Sequence, residues 1–259
     1  MATAMRGYSA LKEICDHSFE GVTYGQKSMN YFIAENARMI RAAAPKVNLS
    51  LSKGNSVSNA YIISKGSLPA INISVDTYQN DKKLVFVPNA SITTGFTFGK
   101  LMGMFGATQI GDMVTFVNLV DNTDSNASIY WVRFKLTTEN VSKSLDVAEK
   151  PVRFWQDMVE GKDFETNIDN FTGDEFAFTL VEATGGQAII IGDQWDGIGD
   201  KPAGGIKTQS LGAIVSRKSD AGWLRSPSTM VNLTDTFNYS EAIASYPESG
   251  EKILNGGNM

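Results

Sequence analysis

The sequence has one cysteine and one histidine among its 259 residues, and they lie close together as Cys15 and His17. A single cysteine excludes an internal disulfide framework and a zinc site built from several thiolates. A single histidine excludes any mechanism that needs two imidazoles. Asp16 lies between them, so a thiol, a carboxylate and an imidazole are consecutive. Adjacent residues on a helix or strand do not point at one another, and we interpret the triplet as a surface or capping segment rather than a nucleophile with its base.

Excess positive charge and long apolar runs are also missing. The net charge is −5, which argues against a broad phosphate-binding surface, because such a surface needs clustered Lys and Arg. No apolar run approaches the roughly 18–20 residues that cross a bilayer. The first residues lack the hydrophobic core of a signal peptide. We therefore expect a protein without a membrane partner, made in the cytoplasm without Sec-type export.

The common motifs of enzymes and cofactor sites do not occur. The chain has no phosphate loop ending in Gly-Lys-Ser/Thr, no dinucleotide-binding glycine fingerprint and no Gly-x-Ser-x-Gly elbow. We predict a protein that is not an enzyme and has no cofactor, with an enzyme on a β scaffold as the least favoured alternative.

One loop offers oxygen ligands. The acidic loop Asp193–Asp200 places carboxylates beside glycines, as calcium sites do, but it lacks the spacing and the closing Glu of the helix-loop-helix calcium pattern. We predict no metal site, and whether this loop binds a cation stays open.

What the sequence does contain is β pattern, most clearly at residues 112–137. Two runs rich in β-branched and aromatic residues, Met113–Val120 and Ser128–Leu136, flank a polar loop and predict a hairpin. The first run is apolar on both faces, so we expect it to be covered on both sides. In the second run Trp131, Arg133 and Lys135 share one face, which predicts a half-exposed neighbour.

The remaining pattern indicates a mainly β protein with one N-terminal helix. Residues 26–44 have helical apolar spacing and end at Pro45. Short strands at near-regular spacing predict antiparallel Greek-key, small-barrel or sandwich domains. The further predicted elements are strands at Val47–Leu51, Tyr61–Ile63, Ile71–Val75 and Leu84–Val87, a short helix within Phe96–Phe105, and hairpins over 176–191 and 211–233.

A polar stretch over residues 138–150 precedes Pro151, and we interpret it as a connector and a candidate domain boundary. We accordingly divide the chain into an N-terminal helix plus β domain, 1–150, and a C-terminal β-hairpin region, 151–247. That region either packs on the first or forms a second small β domain. The polar, Gly/Asn-rich segment 248–259 is predicted to be a flexible tail.

The C-terminal hairpin combines an aromatic residue with cations: Arg217, Lys218, Trp223 and Arg225. Stacking and phosphate contact by such residues is how single-stranded nucleic acid is held, and small β barrels often host that function. Cations beside a turn are more often simply solvated, and the net negative charge disfavours nucleic acid as a partner. Single-strand binding on an OB-like barrel is therefore the alternative hypothesis.

Several motifs occur together in an order that resembles a group of uncharacterised β-rich proteins of Bacteroidota and their phages, including crAss-like phages. They are Phe19–Val22, the helix residues Met29, Phe32 and Asn36, and the runs Tyr61–Pro69, Ile110–Val117 and Gly212–Ser226. The resemblance implies a phage or mobile-element origin, but no activity and no catalytic residues.

In a phage setting we expect a structural or interaction protein of the virion, such as a capsid, decoration or tail component. It would be made in the bacterial host cytoplasm. Its partners would be other copies of itself or other virion proteins, bound through apolar patches and sheet edges.

Overall fold

The computed structural model describes residues 2–43, 60–78, 81–93, 95–122, 127–144, 152–154, 178–183, 186–191 and 206–232. Within these ranges the protein is mainly β, with antiparallel sheets and three helices: α1 (Ala2–Cys15), α2 (Gln26–Ala43) and α3 (Phe98–Met104). The strands are β1 (Ile62–Ser64), β2 (Ile73–Tyr78), β3 (Asp81–Phe86), β4 (Met113–Asn122), β5 (Ala127–Lys135), β6 (Val152–Phe154), β7 (Phe178–Ala183), β8 (Gly186–Ile191), β9 (Ile206–Ser219), β10 (Gly222–Arg225), β11 (Ser228–Thr229) and β12 (Val231–Asn232).

The mainly β, antiparallel prediction is confirmed, but one N-terminal helix is too few. Residues 2–15 form a second one, α1, whose Tyr8, Leu11 and Cys15 are spaced three or four apart and are buried. This spacing places them on one face of the helix, which packs on a sheet. The described strands form open sheets, and no closed barrel is found among them.

The first sheet is built around the predicted hairpin. Its strand order is β10-β9-β4-β5, and β12 also pairs with β9. β4 pairs with β5 from Met113↔Lys135 to Asp121↔Ala127 and with β9 along its other side. β4 therefore has a strand on each side. The prediction that both of its faces are covered is also confirmed, because its side chains enter two separate cores.

Both faces of this sheet are covered. Val114 and Phe116 of β4 point into a core shared with α3 and the second sheet. Val117 and Leu119 point the other way, into a core shared with α1, α2 and β1. The molecule thus has a layer of N-terminal helices, the first sheet, and then the second sheet.

The prediction that β5 is half-exposed is wrong. Its Trp131 is 4% exposed and its Arg133 is 3% exposed. The reason is α1, which packs over this face of β5 and could not be placed from the β5 pattern alone.

The second sheet has the order β2-β3-β8-β7-β6. The predicted hairpin over 176–191 appears in it as β7 and β8. Phenylalanines fill the space between the sheets: the ring of Phe178 on β7 lies 5.5 Å from Phe116 and 5.3 Å from Phe134 of the first sheet, centroid to centroid. The pairs β3–β8 and β4–β9 both cross residue 150, so segments before and after the predicted boundary share each sheet.

β2 and β3 extend further toward each other than the predicted strands Ile71–Val75 and Leu84–Val87, to Tyr78 and Asp81. The short helix within 96–105 is confirmed as α3, which Thr97 caps by accepting from the Lys100 N–H at 3.4 Å. The predicted strand 47–51, the acidic loop 193–200 and the tail 248–259 lie outside the described residues.

Candidate functional site

The four residues predicted for nucleic-acid contact lie on the β9–β10 hairpin, but on different faces. Lys218 is the register partner of Trp223, and Arg217 is the partner of Leu224. Since side chains alternate along a strand, Lys218, Trp223 and Arg225 point to the α1 side of the sheet and Arg217 points to the opposite side. The structure therefore brings three of the four together and separates Arg217 from them.

Arg217 is held by a buried carboxylate. Its Nε and Nη2 donate to the two oxygens of Asp112 at 2.8 and 2.6 Å, a bidentate pair. Asp112 is 1% exposed and also accepts from the N–H groups of Thr108 and Gln109 at 2.8 and 2.9 Å. Hydrogen bonding to Asp112 raises the pKa of Arg217 above its ordinary value. The pair fastens the turn before β4 to β9.

Arg225 is also engaged inside the protein. Its side chain is 3% exposed, and its Nε donates to the His17 carbonyl at 2.8 Å, just past the end of α1. Its backbone N–H donates to the Glu20 carboxylate at 3.0 Å. Burial lowers the pKa of Arg225 to about 10, with Glu20 opposing the shift, so the group is charged at neutral pH. A cation at this point suits the negative end of the α1 dipole.

The remaining two predicted residues, Lys218 and Trp223, are less buried than Arg225. Lys218 is exposed, and its Nζ lies 5.8 Å from the centroid of the half-buried Trp223 ring. The guanidinium carbon of Arg225 lies 4.9 Å from the same centroid. These are cation–π distances. Nucleic-acid contact by this hairpin stays a prediction, with the exposed Lys218 and the half-buried Trp223 as its accessible members.

Sequence reasoning missed an internal polar cavity below the end of α1. Its volume is about 10 Å³, room for one water-sized particle. The described residues that line it are Ile14, Ser18, Thr115, Arg133, Ile214, Ser216 and Arg225. We call it the arginine cavity. Within it Arg133 Nε donates to Thr115 Oγ1 at 2.7 Å, and the Arg133 guanidinium lies 5.0 Å from the Trp131 ring centroid.

The only available signal for this cavity was a charged residue inside an otherwise apolar β run. Arg133 occupies such a position in β5, with Thr115 opposite it in β4. Because an alternating pattern is equally typical of a solvated face, only the location of α1 shows that this face is internal.

The Cys15–Asp16–His17 triplet lies beside the cavity and is divided among different neighbours. Cys15 is fully buried, and burial raises the pKa of its thiol well above the ordinary range. Asp16 accepts from the Tyr8 hydroxyl and from the Gly25 N–H. Burial lowers the pKa of His17; Asp16 opposes this, while Arg225 and Arg133 lower it further. The triplet ends α1 and connects it to the following turn, but it is not a surface segment, because Cys15 is fully buried and Asp16 and His17 are half-buried.

The described residues include no group of three or more His, Cys, Asp or Glu side chains placed to hold a metal ion. In the same ranges, no helix has the length and apolar character needed to cross a membrane. Comparison with known proteins gives no match: no family model, no curated protein and no solved structure matches the chain.

Proposed function

We propose that this protein is a non-enzymatic structural or interaction protein, and that the hairpin of β2 and β3 contributes to its assembly with other copies of itself or with other proteins of a phage particle. The observation that supports the proposal is that, among the described residues, the outer part of this hairpin pairs with no other strand. The phage setting comes from the sequence resemblance, and a Greek-key connection between the sheets belongs to the same proposal.

The strand registers show which part of the hairpin pairs with the rest of its sheet. β2 and β3 pair over six positions, from Ile73↔Phe86 to Tyr78↔Asp81. β3 pairs with β8 only at Val85 and Phe86. Among the described residues, the outer part of the hairpin, Asp76–Tyr78 with Asp81–Lys83, therefore pairs only with itself. We call this outer part the arm. Leu84 is buried in the core and anchors the base of the arm.

The side chains described in the outer part of the hairpin are polar. Asp76 and Thr77 are exposed, and Lys83, the register partner of Asp76, is half-buried. In the described part of the chain β2 is the end strand of its sheet, so one of its edges carries backbone donors and acceptors that another strand can pair with. Asp76 covers one of these donors by accepting from the Thr77 N–H at 2.7 Å. A hairpin with one strand edge unpaired among the described strands is a form of contact suited to repeated assembly.

The first experiment measures assembly directly. Analytical ultracentrifugation over a wide concentration range, with electron microscopy of the same samples, should show ordered oligomers of the full chain. Mass spectrometry of purified phage particles should find the protein in them. A strictly monomeric protein that is also missing from particles would overturn the proposal.

A shortened hairpin tests the arm itself. Val75 and Leu84 are register partners, so joining them through Asn-Gly replaces residues 76–83 with a tight hairpin turn. This variant should keep the native far-ultraviolet circular dichroism spectrum and lose assembly. The matched control changes Asp220 and Ala221, the turn between β9 and β10, to Asn-Gly and should assemble normally.

Single-strand nucleic-acid binding is the second candidate, and the Lys218–Trp223 pair on the exposed hairpin favours it. Filter binding to single-stranded DNA at low and moderate salt tests it. Salt-sensitive binding that Trp223→Ala weakens would support it, since base stacking on an aromatic ring contributes about 1–3 kcal/mol per base. No salt-sensitive binding would remove it.

A further inference from the structure

The hydrogen bonds of β2 show which of its backbone groups face a further strand. In an antiparallel pair, successive residues point their N–H and C=O groups alternately toward the partner strand and away from it. The Thr77 N–H donates to the Asp76 carboxylate at 2.7 Å, and so points away from β3. The Ile73 N–H donates to the Ile71 carbonyl at 3.1 Å and points away in the same manner. Because Val75 lies two positions from each of these residues, its N–H and C=O groups also point away from β3.

Val75 lies at the middle of this edge. In the described part of the chain β2 is the end strand of its sheet, and no hydrogen bond joins the Val75 backbone to a described residue outside the hairpin. The outward N–H groups on either side, those of Ile73 and Thr77, are already bonded locally. The edge therefore presents a donor and an acceptor together at one residue, which is a combination that an identical edge can match.

We propose that β2 pairs antiparallel with β2 of a second copy of this chain, with Val75 of one copy opposite Val75 of the other. This pairing rests on the proposed role in assembly, for which it names the partner. Two identical antiparallel strands are related by a two-fold axis, so the Val75 N–H of each copy donates to the Val75 carbonyl of the other. The second sheets of the two copies then form one continuous sheet.

The side chains beside Val75 fit this arrangement. Ile73 and Val75 pack against the core between the sheets. Ser74 and Asp76 therefore point to the opposite face, where both are exposed. With Val75 opposite itself, Ser74 of each copy lies opposite Asp76 of the other, and a hydroxyl donor meets a carboxylate acceptor. Lys83, the register partner of Asp76 on β3, adds a positive charge beside each carboxylate.

The neighbouring registers are less favourable. With Asp76 opposite itself, two carboxylates would face each other directly, which is destabilising. With Ser74 opposite itself, Asp76 would lose the hydroxyl donor. A contact along a single strand edge is small beside a stable interface, so we expect a weak dimer that forms at high local concentration, such as that within an assembled particle.

Cysteine cross-linking tests the partner and the register together. Ser74→Cys and Asp76→Cys are prepared as separate full-length chains, mixed and oxidised. Facing Cα atoms lie about 4.5 Å apart, within the span of a disulfide, whereas identical positions lie diagonally at about 7–8 Å. The mixture should give far more disulfide-linked dimer than either variant alone, and Cys15 adds none because it is fully buried. Equal yields from the mixture and from the single variants would overturn the pairing.

A proline at the centre of the contact tests the hydrogen bonds. Val75→Pro removes an N–H that points away from β3, so the bonds between β2 and β3 remain. The loss of two intermolecular hydrogen bonds should raise the dimer dissociation constant about thirtyfold in sedimentation equilibrium. Val75→Ala also loses the branched side chain but keeps the N–H, so as the matched control it should weaken the dimer far less. Equal dissociation constants for the two variants would contradict the pairing, and the cysteine experiment decides even if Val75→Pro fails to fold.

The self-pairing of β2 and the role in a phage particle fail separately. A protein that is present in particles but monomeric at every concentration would remove the self-pairing and leave another virion protein as the partner. Dimers that Val75→Pro does not weaken would likewise remove it and leave assembly through another surface. Dimers that the mixed cysteines link, in a protein missing from particles, would support the self-pairing and remove the virion role.

Discussion

At the scale of single residues, the glycine in α1 shows how closely the helices approach their neighbours. A Cβ at Gly7 would lie 2.6 Å from the hydroxyl oxygen of Tyr61. Tyr61 is fully buried, and its ring lies 5.4 Å from that of Phe32, so it has little room to move. Glycine is unfavourable inside a helix, and here close packing explains its presence.

Gly7→Ala should therefore destabilise the protein although alanine is the better helix former. We expect a loss of about 1–3 kcal/mol, the usual range for overpacking. Gly103→Ala in α3 is the matched control: a Cβ there meets nothing within 4 Å, so this change should stabilise by about 0.5–1 kcal/mol. Urea unfolding of both variants measures the difference. Stabilisation by Gly7→Ala would contradict the close contact with Tyr61.

Two ion pairs differ in burial and should therefore differ in how much they contribute to the free energy of unfolding. Asp112→Ala removes a 1% exposed carboxylate and leaves Arg217, whose side chain is 19% exposed, without that partner. We expect a loss of about 3 kcal/mol in the free energy of unfolding, near the lower end for breaking a buried pair. Glu35→Ala breaks a more exposed pair with Lys65, in which the side chains of Lys65 and Glu35 are 44% and 23% exposed, and should cost less than about 1 kcal/mol. Equal losses in chemical denaturation would show that burial does not distinguish the pairs.

At the scale of elements, hydrogen bonds from a polar side chain join helix α2 to strand β1. The side chain of Asn36 on α2 acts as a partner for β1: its amide donates to the Ile62 carbonyl at 2.9 Å and its oxygen accepts from the Ile62 N–H at 2.7 Å. β1 in turn pairs with β11, while β10 and β12 on either side of β11 pair with β9. The side-chain amide of Asn36 thus connects α2 to the three-residue strand β1, and β1 connects it in turn to β11 near the C-terminal end of the described residues.

Asn36→Ala should loosen this connection. It removes both bonds to Ile62 and a third to the Phe32 carbonyl, so we expect a loss of about 2 kcal/mol, the cost of leaving such groups unsatisfied. Amide hydrogen exchange at Ile62 should also become faster. Asn30→Ala, an exposed position on the same helix, is the control and should change neither quantity. Unchanged exchange at Ile62 in Asn36→Ala would show that the bond to β1 is not stabilising.

At the scale of the whole molecule, the three layers leave the single histidine at the junction of α1 with the first sheet. Burial lowers the pKa of His17 below its ordinary value of 6.5, with Arg225 and Arg133 acting in the same direction and Asp16 against it. The unfolded chain then binds the proton more readily than the folded one. Protonation of His17 therefore disfavours the folded state. The stability associated with neutral His17 is complete above about pH 6.5 and is lost as the pH falls from there toward the folded pKa.

Stability should accordingly decrease between about pH 7 and pH 5, the range where an ordinary histidine titrates. Because the chain has one histidine, His17→Gln should remove most of this decrease. Urea unfolding at a series of pH values measures both chains. An unchanged slope in His17→Gln would mean that other groups cause the pH dependence, and an increase in stability toward low pH would contradict the direction of the shift.

Sequence pattern was sufficient where a local period decided the structure. The apolar faces of β4 predicted that it is covered on both sides, and the strand runs predicted the hairpins β4–β5, β7–β8 and β9–β10. The same pattern failed at Arg133, where alternation was taken for a solvated face. A period of two shows that a strand has two faces, but it does not show what covers them.

By itself the sequence determined the β-rich class, the strand runs and the helical spacing of α2, because these depend on neighbours two to four residues away. Only the tertiary structure decided that Arg217 pairs with Asp112 while Arg225 turns inward to the end of α1. It also decided that Arg133 and Arg225 face one cavity. These side chains are about 90–210 positions from their partners, so their roles depend on strand register and helix docking across the whole chain, which no local pattern encodes.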